Sequence, residues 1–144
     1  METRNVVRNI AYDEINNEHY YLILKTKKGY WQNPQGGIDE GESEIEAMIR
    51  ETEEETQLKV TTTFENTKTK IQYPTERKGE QIHTKLTAYA SRIDSTKPIK
   101  LSKEDGHTEY KWIREEEAEK YLTRYPEQLP LFKEVLKKFK ENQN

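Results

Sequence analysis

Apolar positions recur along this chain with two different periods. Residues 5–12 and 19–25 have the density of β-strands, and the second run, YYLIL, is apolar on both faces, as a strand in the middle of a sheet should be. Residues 26–35, with Lys27, Lys28 and Gly29, read as a loop. A helical period takes over across residues 43–57, where Ile45, Met48, Ile49 and Thr52 fall on one core-facing side at ~100° per residue. Residues 58–64 and 69–73 read as two strands, and PTERKG at 74–79 as a turn. From Ile82 the pattern alternates, with Thr84, Leu86, Ala88 and Ala90 on the same face. Pro98 and Gly106 punctuate a loop, 109–113 is a short strand and 114–122 reads as helical. A last helix, starting near Pro130, carries the stripe Leu131, Phe132, Val135, Leu136 and Phe139. Strands and helices mix without strict βαβ alternation. The expected class is therefore α+β, a mixed α/β sandwich, and 144 residues suit one domain over 1–144.

Composition narrows the picture. Only 31% of residues are hydrophobic against 35% charged, so the core is expected to be thin. The absence of cysteine rules out disulfides and thiolate metal sites. No apolar run approaches the ~20 residues that span a bilayer, and the N-terminus has no signal-peptide pattern, which makes a cytoplasmic setting the expectation.

The net charge of −3 conceals an asymmetry. Between Asp39 and Glu55 stand nine acids and a single base, Arg50, leaving 18 acids and 23 bases elsewhere. Ser43 and Glu46 form an S-x-x-E capping box that fixes the helix start at Ser43. Glu51, Glu54 and Glu55, at i, i+3 and i+4, share a second helix face with the small Ala47, which is expected to leave room above them. Like charges one turn apart destabilise a helix by ~0.2–0.5 kcal/mol unless something neutralises them. Clustered oxygen ligands of this kind suit Mg²⁺ or Mn²⁺ together with phosphates, and a solvated Glu-rich helix is the plain alternative.

The acidic string does not stand alone. Gly36, five residues, Glu42, seven residues, Arg50-Glu51, then Glu54-Glu55 and Leu58 resemble the Nudix box, G-x5-E-x7-R-E-U-x-E-E-x-G-U, with U a bulky apolar residue. Two positions depart from it: Thr52 replaces an apolar residue, and Gln57 replaces the glycine that favours a left-handed helix end. The resemblance implies the Nudix fold, a mixed sheet between helices with a loop–helix–loop metal site. It implies hydrolysis of a diphosphate linked to another group, dependent on Mg²⁺ (or Mn²⁺). It implies Glu51, Glu54, Glu55 and the Gly36 carbonyl as metal ligands, with Arg50 and Glu42 paired as a brace. Glu54 is one candidate base. In relatives the base also lies on a loop before a late Trp-containing strand, here LSKEDGHTEYKW, where Glu104 is preferred over Asp105 and Glu109.

YWQNPQGG resembles the opening of the box in dinucleoside polyphosphate hydrolases and RNA 5′-pyrophosphohydrolases, which implicates Gln35 at the substrate. The later stretches look more like animal and archaeal diadenosine tetraphosphate hydrolases, in which a tyrosine at a strand end stacks on adenine. Tyr73 holds that place, before a turn with Arg77 and Lys78, and either stacks on a base or packs in the sheet. Lys25 is a further candidate phosphate contact, Trp31 reads as a loop anchor, Trp112 as core, and His83 as exposed without a partner. The expected reaction is asymmetric hydrolysis of diadenosine tetraphosphate to ATP and AMP. The alternatives are an RNA 5′-pyrophosphohydrolase, a housecleaning nucleoside triphosphate pyrophosphatase and, more remotely, a catalytically silent nucleotide-binding domain. The expected partners are nucleotides or an RNA 5′ end, with neither membrane nor DNA.

Overall fold

The computed structural model describes residues 2–102 and 106–141. The sheet is assembled on β1 (Thr3–Ile15). On one side β1 runs parallel to β6 (Glu80–Ile93), from Thr3 opposite His83 to Tyr12 opposite Arg92. On the other it pairs antiparallel with β2 (Glu18–Thr26), but only from Tyr12 opposite Tyr21 to Ile15 opposite Glu18. Beyond Tyr12 the two strands part, and WQNPQGG fills the fork. There β3 (Trp31–Gln32) pairs with β2, and β4 (Gln35–Gly37) pairs with β1. The Asn9 N–H donates to the Pro34 carbonyl between them. The expected loop over 26–35 is thus partly sheet. Strands of two and three residues are too short to show a period.

At the far edge lies β5 (Val60–Arg77), antiparallel to β6, while β7 (His107–Ile113) lies against β2. The two strands expected over 58–73 are one, with the register shifting between Phe64 and Thr69. Thr67 makes that irregularity tolerable: its hydroxyl donates to the Phe64 carbonyl and accepts from the Ala90 N–H, satisfying two groups the ladder loses. The strand runs on through Pro74 to Arg77, so the expected turn shrinks to Lys78 and Gly79, both at positive φ. The alternation expected of β6 holds from Ile82 to Leu86; beyond it both faces are buried.

Helices cover both faces. The amphipathic α3 (Gln128–Glu141) starts at Gln128, two residues before Pro130, and buries Leu131, Phe132, Val135, Leu136 and Phe139. These pack on Val6, Ile10, Tyr12, Tyr21, Ile23 and Ile113, and Phe132 meets the Tyr21 ring edge-on at 5.3 Å. A 3-10 turn (Glu115–Glu117) and α2 (Ala118–Tyr121) close the same side. On the opposite face α1 (Glu44–Thr56) packs Ala47 and Met48 against Val7 and Tyr89. Ile45 and Ile49 are only half-buried, and Ala47 is fully buried, so it opens no space above the carboxylates as expected. Among the described residues no helix is long and apolar enough to cross a membrane.

Candidate active site

The acidic helix begins where its capping box places it. The Ser43 hydroxyl accepts from the Glu46 N–H, and the Glu46 carboxylate accepts from the Ser43 N–H, both at 3.1 Å. Glu44 and Glu46 suit the positive end of the helix dipole. The other end is opposite in character. Its last turn holds Glu53, Glu54 and Glu55 and no base, an arrangement the dipole disfavours by ~0.3–1 kcal/mol per exposed charge. Gln57 closes the helix in the left-handed conformation at φ 64°, although it is not glycine.

Thr52, the other departure from the box, sits at a polar spot inside the protein. Its hydroxyl donates to the Met48 carbonyl and accepts from Asn9 Nδ2 of β1, while Asn9 Oδ1 accepts from Ser91 of β6. This buried chain ties the carboxylate helix to the two parallel strands.

Arg50 is the hub of the acidic cluster. Its guanidinium meets Glu42 through two N–H groups, at 2.7 and 2.8 Å, Glu51 at 2.8 Å and the Gly37 carbonyl at 3.0 Å. Looser contacts reach Asp39 at 3.3 Å and Glu54 at 3.4 Å. Hydrogen bonding to Arg50, helped by the Asp39 N–H, holds the Glu42 carboxyl down to about 2. Glu42 in turn raises the Arg50 pKa, with Glu51 adding to it.

The three box carboxylates do not share one exposed face. Glu54 is 52% exposed, Glu51 16% and Glu55 1%. Glu51 lies over Gly36 so closely that a Cβ there would stand 2.1 Å from its carboxyl carbon. Glu55 points into the fork, where Oε1 accepts from the Gln35 N–H at 3.2 Å and Oε2 stands 3.5 Å from His107 Nδ1.

Gln35 joins this cluster to a second one. Its side-chain oxygen accepts from Arg8 Nε at 2.9 Å, and Arg8 also hydrogen-bonds Tyr73. Arg8 is only 4% exposed, and burial lowers its pKa. Tyr73 is partly buried and packed on the core under α3, and burial raises its pKa. Arg4 lies within electrostatic reach of Arg77, Tyr73 and Glu51. Sequence reading missed Arg4, Arg8 and His107. The one available signal was a cation, Arg8, inside the apolar run of β1.

The remaining expectations divide. Arg77 ends β5 and Lys78 forms the hairpin tip, both exposed. Lys25 lies in β2, as expected. It pairs with Glu109 at 3.0 Å, which occupies that acid, and its Nζ stands 5.8 Å from the Trp31 ring. Trp31 is a strand residue, T-shaped to Tyr121. Trp112 packs partly buried against Leu22 and Leu24. His83 does have a partner, since Nε2 is 2.6 Å from Gln72 Oε1. Glu104 and Asp105 lie outside the described residues.

The donor set fits a hard divalent cation. It consists of carboxylates only, packed against the glycine backbone without a Cβ between, at a helix end where negative charge is disfavoured until neutralised. Among the described residues no three acidic or imidazole groups converge as they stand, with Arg50 drawing Glu51 and Glu54 to itself.

Comparison with known proteins gives the geometry a context. The NUDIX domain family model matches residues 8–135. An RNA pyrophosphohydrolase from a Nitratiruptor species is 30% identical over 120 residues, covering 77% of this chain and 74% of that protein. A C. elegans Ap4A hydrolase in a binary complex superposes with a TM-score of 0.80 at 24% identity, covering 96% of this chain and 98% of that one. A second C. elegans Ap4A hydrolase structure gives a TM-score of 0.68 at 26% identity and 99% coverage of both chains.

Proposed function

The chain belongs to the NUDIX domain family, and from that premise we propose that this pyrophosphohydrolase cleaves diadenosine tetraphosphate asymmetrically, to ATP and AMP, with Mg²⁺. The observation that carries this reading is the double use of Gln35. Its backbone N–H holds Glu55 of the carboxylate cluster, and its side chain holds Arg8 beside Tyr73. The carboxylate cluster proposed to hold metal and the tyrosine proposed to take the base thereby meet at one residue. The likeness to the two Ap4A hydrolase structures supports the same substrate.

In this proposal Glu51, Glu54, Glu55 and the Gly36 carbonyl hold the cation. Bound there, Mg²⁺ (or Mn²⁺) would neutralise phosphate charge and acidify the attacking water. Glu42 and Arg50 brace the loop against α1 and do not touch the reacting atoms. Glu54, the most exposed of the three glutamates, takes the proton from the water as it attacks phosphorus, unless Glu104 supplies that base. Arg8, a guanidinium kept dry and pinned by neutral partners, offers a strong donor to phosphate oxygens. Tyr73 stacks on the adenine, with Arg77 and Lys78 beyond it for the distal phosphates. Lys25 is proposed to steer polyphosphate from the other side of the fork.

A second reading, hydrolysis at a triphosphorylated RNA 5′ end, has its own observation. Trp31 and Tyr121 stand with Lys111 at 5.8 and 5.7 Å from their rings, and Lys120 lies 5.4 Å from Tyr121. Such an aromatic and cationic strip suits single-stranded nucleic acid, and the Nitratiruptor protein is named for RNA. The deciding experiment offers diadenosine tetraphosphate, 5′-triphosphorylated RNA and nucleoside triphosphates to the Mg²⁺-loaded protein and compares kcat/KM and products. ATP plus AMP at the highest kcat/KM supports the first reading. Pyrophosphate or successive phosphates from RNA supports the second.

A further inference from the structure

His107 opens β7 immediately opposite Thr26, at the point where the β2–β7 register shifts. The shift aims the imidazole inward, to the face of the sheet that carries α1. Its side chain is 5% exposed, and the carboxylate it faces, Glu55, is 1% exposed. Nδ1 stands 3.5 Å from Glu55 Oε2, and Nε2 stands 3.2 Å from the Gln32 side-chain nitrogen.

The chemistry of the two facing groups favours one tautomer. A carboxylate oxygen only accepts, so the ring nitrogen facing Glu55 must carry hydrogen. The Gln32 amide nitrogen only donates, so Nε2 must present its lone pair. That pairing puts the proton on Nδ1 and the lone pair on Nε2. Glu55 is then held at Oε1 by the Gln35 N–H and faced at Oε2 by His107 Nδ1, 3.5 Å away. Both donors are fixed by the sheet, Gln35 through β4 and His107 through β7.

We propose that His107 is a positioning residue for Glu55, with Gln32 holding its tautomer, so that the buried carboxylate is already aimed when a divalent cation arrives. The proposal rests on the reading of Glu55 as a metal ligand. A freely rotating carboxylate must be ordered on binding, and one already held by flanking N–H donors need not be. The distance of 3.5 Å is long for a hydrogen bond in the present geometry, which suits a contact that tightens as charge gathers at the site.

The test is Mn²⁺ affinity by calorimetry, without substrate, on wild type, His107→Leu, His107→Asn and Glu55→Gln, with Tm measured for each. The asparagine amide nitrogen lies near the place of Nδ1 and keeps the donor. Outer donors of this kind are typically worth about 10–100-fold in metal affinity. His107→Leu should therefore weaken Mn²⁺ by about that factor, while His107→Asn stays within about threefold of wild type. With substrate, the His107→Leu defect should lie in the metal concentration needed for half-maximal rate and should recede at high Mn²⁺, leaving KM for the nucleotide unchanged. If His107→Leu does not fold, Gln32→Leu substitutes for it. That change frees the ring to move its proton to Nε2 and should also weaken Mn²⁺. Wild-type affinity in His107→Leu, or equal losses in His107→Leu and His107→Asn, overturns the proposal while Glu55→Gln still binds poorly. Unchanged affinity in Glu55→Gln overturns the ligand reading of Glu55 itself.

Discussion

Asn9 of β1 donates its side-chain N–H to the hydroxyl of Thr52 on α1 at 2.9 Å, inside the protein and 43 residues away in sequence. The contact gives Thr52, a residue that breaks the apolar rule of the Nudix box, a specific task. Restoring the rule should do harm. Thr52→Val keeps the shape but leaves Asn9 Nδ2 buried without its acceptor, a loss of about 1–3 kcal/mol. The measurement is a denaturant titration. An unchanged midpoint would mean that Asn9 finds another partner.

The second departure should behave in the opposite way. Gln57 holds a left-handed conformation at φ 64° that strains any residue with a Cβ. Gln57→Gly relieves that strain and gives back part of it through the freer unfolded chain, a net gain of about 0.5–1 kcal/mol. Thermal melting should show Tm rising by about 1–4 °C, with kcat unaltered.

Gly36→Ala should separate function from stability. The added Cβ lands 2.1 Å from the Glu51 carboxyl carbon, at the mobile end of a long side chain rather than against backbone. Glu51 can swing away, so Tm should fall by only a few degrees. The displaced carboxylate no longer lies at the site, and kcat/KM should fall by about 100-fold or more, about 2.7 kcal/mol of transition-state stabilisation. Parallel Tm and kcat/KM measurements decide. A normal rate would show that Glu51 is dispensable where it now lies.

Tyr73 poses a question about ring against hydroxyl. If the ring stacks on a base, Tyr73→Ala should raise KM by about 5–150-fold, since stacking is worth about 1–3 kcal/mol per base. Tyr73→Phe, which keeps the ring and loses only the contact with Arg8, should stay near wild type. Equal KM increases in the two variants would transfer the role to the hydroxyl and Arg8.

The Arg50–Glu42 brace should leave a signature in acid. The folded Glu42 pKa of about 2 lies below the ordinary carboxylate value, so the ionised pair contributes stability that is fully present above about pH 5. That contribution fades as pH falls from about 5 towards 2. The stability difference between wild type and Glu42→Gln should therefore be constant at neutral pH and shrink steadily across that window. A difference independent of pH would mean that packing, not charge, holds the loop.

How much of this was legible depended on distance along the chain. Ser43 to Glu46 and Glu42 to Arg50 lie within a few turns of each other, so local spacing gave the helix start, and the resemblance carried by that spacing implied the brace. The period of Leu131 to Phe139 likewise gave α3. The fork was hidden because β3 and β4 are too short for a period and are held by partners at Leu24 and Arg8. The shift near Thr67 was hidden because a threonine hydroxyl stands in for ladder groups, which looks in sequence like a break between two strands. His107 and Glu55 lie 52 positions apart, and nothing local marks one as the neighbour of the other.

One consequence of the sheet order concerns the company this protein keeps with itself. β5 is the last strand of the path, so one side of an 18-residue strand faces outward with backbone groups able to recruit a further strand from another molecule. Two features make such recruitment unfavourable: the irregularity between Phe64 and Thr69 spoils a flat ladder, and Pro74 lacks the N–H a neighbour would need. The same residues that make β5 hard to recognise in sequence therefore guard the border at which intermolecular β-assembly would begin.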